Sequence, residues 1–107
     1  MFIQRVRSYP ALGKETEFRA ALEELVKKLQ AQGQAQGIAV SLSVQLFSPE
    51  GATFVATSRF RDLAELENRR RQTLADPAFQ AAMAKLAPLS RAPAKFELYE
   101  VLIPFPS

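Results

Sequence analysis

From Ile38 to Phe47 the chain alternates almost without error, with Ile38, Val40, Leu42, Val44 and Leu46 on one parity and Ala39, Ser41, Ser43, Gln45 and Phe47 on the other. Successive strand side chains point to opposite faces, so this run predicts a half-buried strand with one apolar and one largely polar side. Such a strand needs sheet neighbours and a layer over its apolar face. The rest of the chain offers both. Phe2 to Tyr9 reads as a first strand closed by Pro10, Ala52 to Phe60 as a third, and Lys95 to Ile103 as a fourth that Pro104 and Pro106 terminate. Ser48-Pro49-Glu50-Gly51 predicts a hairpin turn between strands two and three, because proline suits an early turn position and glycine a later one.

Two helical segments separate these strands. The stripe Phe18, Leu22, Leu25, Val26 and Leu29 predicts a helix over 14–32, stopped by Gly33. Asp62, followed three residues on by Glu65, predicts a capping box for a second helix bearing Leu63, Leu66 and Leu74. Asp76-Pro77 then restarts the helix with Phe79, Met83 and Leu86 on its buried side, and Pro88 ends it. Arg69-Arg70-Arg71 reads as a solvated helix face offset by Glu65 and Glu67.

The order is βαββαβ. It predicts an α+β fold, a ferredoxin-like sandwich with a four-stranded antiparallel sheet of order 4-1-3-2 and the helices on one face, as a single domain over 1–107. Val6, Val40, Leu42, Val44, Phe54, Ala56, Phe96 and Leu98 would face the helices. The outward face would carry Ile3, Arg5, Arg7, Tyr9, Ser41, Ser43, Gln45, Phe47, Val55, Thr57, Arg59, Glu97, Tyr99, Val101 and Ile103. That mixture is too apolar for a solvated face and too charged for a closed core. It predicts a homodimer in which two sheets enclose a partly polar cavity.

Composition narrows the chemistry. The chain has no cysteine and no histidine, which removes disulfides, thiolate nucleophiles and the commonest metal ligands and general base, so no metal or cofactor is expected. A formal charge of +3, from 14 Lys+Arg against 11 Asp+Glu, implies no strongly basic domain. No run of about 18 apolar residues is present to span a membrane, and Gln4, Arg5 and Arg7 interrupt any apolar leader; a cytoplasmic location is the expectation.

Arg5-Val6-Arg7-Ser8-Tyr9 resembles the opening strand of NIPSNAP-like members of the dimeric α/β-barrel superfamily. The run from Arg69-Arg70-Arg71 through Asp76-Pro77-Ala78-Phe79 to Pro88-Leu89 is similar in layout to the same family. The resemblance implies a ferredoxin-like protomer and a sheet-to-sheet dimer. It also brings a departure. Family members often carry His and Trp on or near strand three, where this chain has Thr57-Ser58-Arg59-Phe60, and the only Asn is Asn68 on the second helix. No histidine can ligate haem iron here.

The candidate ligand-binding residues are Arg5, Arg7, Arg59, Ser41, Ser43, Gln45 and Thr57. A free Arg fork would bind a carboxylate, phenolate or phosphate in a planar, bidentate way, with Tyr9, Tyr99 and Phe47 as an aromatic wall. The alternative is that Glu97, with Glu100 of the partner subunit, neutralises these arginines. Tyr9, Tyr99 and Glu97 are weak candidates for proton transfer, against a plain interface role for each. The functional expectation is a dimer binding a small anionic or aromatic molecule. A cofactor-independent oxygenase or isomerase, and a structural or regulatory dimer without ligand, are the alternatives. RNA-recognition modules share the element order, but strand three lacks their Lys/Arg-Gly-aromatic start, which argues against nucleic acid.

Overall fold

The computed structural model describes residues 1–36, 39–45 and 51–106. The expectations for Ile38, Leu46, Phe47 and the Ser48-Pro49-Glu50 turn lie outside the described residues. The alternating run forms β2 (Val40–Gln45) at one edge of a four-stranded antiparallel sheet. Its neighbour is β3 (Thr53–Phe60), followed by β1 (Phe2–Pro10) and, at the opposite edge, β4 (Ser90–Glu100). The order β2-β3-β1-β4 is the expected one, and the fold is α+β and ferredoxin-like.

The register carries the parity expected from the alternation. Val6 sits between Ala56 and Phe96, with Leu42 beyond Ala56, in one row across the sheet. The adjacent row, of opposite parity, reads Ser41, Thr57, Arg5, Glu97.

Helix α1 (Glu15–Gln36) lays its stripe on the first of these faces. Phe18, Leu22, Leu25 and Val26 are buried with Phe54 and Leu86, and the Phe18 and Phe54 ring centroids lie 5.8 Å apart. The helix runs past Gly33 rather than stopping there. One interior glycine costs only about 1 kcal/mol relative to alanine, and the Gln-Ala-Gln segment that follows consists of helix formers.

Helix α2 (Leu63–Ala75) begins as its capping residue requires, with Asp62 Oδ1 accepting from the Glu65 amide at 2.8 Å. The Glu65 carboxylate turns to Arg61, taking its side chain at 2.7 Å and its amide at 3.3 Å. Asp76 then opens α3 (Pro77–Leu86), accepting from the Ala78 amide at 2.9 Å. A turn of 3-10 helix (Ala87–Leu89) leads into β4.

Strand β4 begins five residues before the expected Lys95 and ends at Glu100, so Val101 and Ile103 lie beyond the strand, though the Val101 amide still donates to the Met1 carbonyl at 2.9 Å. Pro93 lies within this added stretch. It is accommodated because β4 is an edge strand and the pairing slips there: Arg7 faces Lys95, but Tyr9 faces Ala92. Arg91, at a second slip between the Tyr9–Ala92 and Pro10–Ser90 pairs, donates to the Pro10 carbonyl at 2.8 Å and the Ala52 carbonyl at 3.2 Å. It thereby clasps β1, the start of β3 and β4 at the end of the sheet nearest Phe54.

Candidate functional site

The outward face assembles the residues that parity assigned to it. Ser41, Thr57, Arg5 and Glu97 share a row; Ile3, Arg59 and Tyr99 form the next, and Ser43, Val55 and Arg7 the one on the other side. Their partners differ from those expected of directly opposite residues. Arg5 stands opposite Glu97, yet its guanidinium lies over the Tyr99 ring, 5.2 Å from the centroid. Arg7 takes the carboxylate instead, with Nε 2.6 Å from Glu97 Oε1 and Nη1 2.9 Å from Gln45 Oε1. The Tyr99 hydroxyl donates to the second oxygen, Glu97 Oε2, at 3.0 Å.

Glu97 is therefore engaged on both oxygens. The Arg7 hydrogen bond first, and the Tyr99 hydroxyl second, hold its pKa below the usual glutamate range, and the same bond raises that of Arg7. Tyr9 is buried, with the Arg91 guanidinium 5.3 Å from its ring centroid. Arg59 is exposed, and among the described residues its guanidinium has no partner.

A different space opens on the other side of the sheet. Helix α1 fills the Phe54 end of the helix-facing side, whereas α2 and α3 stand off from the other end and leave a cavity of about 490 Å³. Gln4, Val6, Ala56 and Ser58 form its floor on β1 and β3. Leu66, Arg69 and Thr73 hang from α2, Phe79 and Met83 close it from α3, and Phe96 bounds it on β4. Its walls are overwhelmingly apolar. None of Arg5, Arg7, Arg59, Ser41, Ser43, Gln45 or Thr57 lines it.

Arg69 is the anomaly of this cavity. It was expected on a solvated face beside Glu65, but it is only 6% exposed, and Glu65 pairs with Arg61. Its Nη2 donates to the Leu29 carbonyl at 3.0 Å, and among the described residues no carboxylate pairs with it. Burial pulls its pKa below the ordinary guanidinium value. The signal was present in the sequence: Leu66, Arg69, Arg70 and Thr73 follow the i, i+3, i+4, i+7 spacing of a buried stripe, with arginine where an apolar residue belongs.

Among the described residues no group of three or more His, Cys, Asp or Glu could hold a metal ion, and no helix is long and apolar enough to cross a membrane. Neither a protein-family model nor a curated protein matches the sequence. Solved structures do match in fold. A NIPSNAP domain protein from Burkholderia xenovorans superposes with a TM-score of 0.80 at 16% identity, with both chains covered completely. A putative antibiotic biosynthesis monooxygenase from Deinococcus radiodurans gives 0.67 at 23% identity, over 100% of this chain and 98% of that one. A mutant form of SnoaB, a cofactor-independent oxygenase from Streptomyces nogalater, gives 0.70 at 18% identity, over 99% and 98%. The chain thus has the ferredoxin-like fold of NIPSNAP domains and antibiotic biosynthesis monooxygenase-like proteins.

Proposed function

We propose that this protein is a homodimer that binds a small aromatic or anionic molecule in the cavity between its sheet and α2–α3. The observation that carries the reading is the cavity itself. Its volume of about 490 Å³ falls in the range of small-molecule sites, and its apolar walls hold a few polar groups. The likeness in fold to a cofactor-independent oxygenase and to putative monooxygenases supports a pocket of this size as more than a packing defect. The described lining includes no carboxylate and no tyrosine, so the geometry supports binding ahead of proton transfer. An oxygenase or isomerase reaction would have to draw on the acidity of its own substrate.

The outward face fits the dimer contact. The Arg7–Glu97–Tyr99–Gln45 network neutralises its centre, and Ile3, Val55 and the flanking strand residues supply apolar area around it. The exposed, unpartnered Arg59 favours a second reading, in which the anion is held between the two sheets with Arg5, Ser41, Ser43 and Thr57 around it.

Fluorescence titration with 1-anilinonaphthalene-8-sulfonate, alongside native mass spectrometry, separates these cases. We expect a dimer that binds one probe per protomer, with binding lost in Ser58→Phe, which fills the cavity floor, and kept in Arg59→Ala. The reverse pattern would move the ligand between the sheets. A dimer that binds no probe would leave only a structural or regulatory role, and a stable monomer would sink the shared-sheet contact.

A further inference from the structure

We infer, resting on the reading of this cavity as the binding site, that its ligand is an apolar molecule carrying one anionic group, a carboxylate or ionised phenol, and that Arg69 holds that group. Arg69 is a cation at the inner wall of an apolar cavity, among Leu66, Phe79 and Met83, with one neutral acceptor. That acceptor does not need it. Leu29 lies inside α1, which continues to Gln36, so its carbonyl already accepts an intrahelical bond from the residue four positions on.

A guanidinium carries five N–H donors in a fixed fork, and the Leu29 carbonyl takes one. No described buried side-chain nitrogen is sealed off without a partner, so the remaining donors keep accessible surface, and Arg69 is part of the cavity lining. Burying a charge without a counter-ion is costly, and methionine or leucine would fit the same stripe position without that cost. A bound carboxylate supplies the missing charge with two parallel, charge-assisted hydrogen bonds. The lowered pKa of Arg69 fits the same picture of a cation lacking a protein counter-charge. Arg70, also on the lining but exposed, lies where solvent screens it and contributes to attraction rather than to fixed geometry.

The test is calorimetric titration with 2-naphthoate and its neutral isostere 2-naphthamide, which share shape and differ in charge. Wild-type protein should bind the acid at least about tenfold more tightly, as a charge-assisted bidentate contact requires. Arg69→Met should abolish that preference while keeping the amide, Arg69→Lys should retain part of it, and Arg70→Met should leave most of it. Equal wild-type binding of acid and amide would overturn the anchor while sparing the cavity. A preference that survives Arg69→Met, or falls only in Arg70→Met, would also overturn it. If neither naphthalene binds, the anchor falls; loss of 1-anilinonaphthalene-8-sulfonate binding as well would bring down the cavity reading with it. The wild-type comparison needs no variant to fold, so it decides the matter even if Arg69→Met is unstable.

Discussion

The two ends of the helix-facing side of the sheet meet different fates. At one end α1 sets Phe18 against Phe54 and closes a core with Leu22, Leu25, Val26 and Leu86. At the other, Gln4, Val6, Ala56 and Ser58 look across open space at α2 and α3. The difference lies in the helices. The stripe of α1 is unbroken, whereas that of α2 has Arg69 and Thr73 where large apolar residues would have drawn it down onto the sheet. One end is optimised for packing, and the other gives up packing for a lined volume.

The largest expected break in this contrast is Phe18→Ala. Phe18 is 1% exposed, so its loss should cost about 3–5 kcal/mol in urea denaturation. Met83→Ala, at the cavity wall, should cost less than about 1 kcal/mol. Comparable losses would mean that the cavity end is packed like a core. Next in size, Arg69→Met should raise stability by about 1 kcal/mol, since an uncompensated buried cation is exchanged for an apolar side chain of similar length. A fall in the denaturation midpoint would instead make Arg69 a structural strut between α2 and α1.

The smallest effect lies on the outward face. The folded pKa of Glu97 is depressed, so its pairing contributes stability above the ordinary glutamate pKa of about 4.3, which is lost as pH falls through the lower folded value. Denaturation midpoints of wild type and Glu97→Gln should therefore differ at neutral pH and converge in acid. A constant offset across that range would show that the Arg7–Glu97 bond is not what depresses the group.

Much of the fold was legible because local rules agree with one another. The parity of 40–45 and 53–60, the caps at Asp62 and Asp76, and the strand order all follow from period, turn chemistry and element sequence. The start of β4 was not, since its first residues pair with β1 through register slips that local pattern does not encode. The membership of the outward cluster was legible too, but not its pairing. Strand rows predict Arg5 with Glu97, whereas side-chain reach and the Tyr99 ring give that carboxylate to Arg7. The cavity was illegible for a different reason. How far a helix stands from a sheet is a tertiary quantity, and only the misplaced Arg69 in the α2 stripe hinted at it.

The Arg91 clasp gives the molecule a direction. By holding the Pro10 and Ala52 carbonyls together, it ties three strands at the end where the core is densest. Among the described residues no side chain ties the far end in the same way, where Phe2 pairs with Phe60 and Glu100 beside the cavity. Amide exchange should therefore be slower at the clasped end than at the far one, because Arg91 holds three strands in register there.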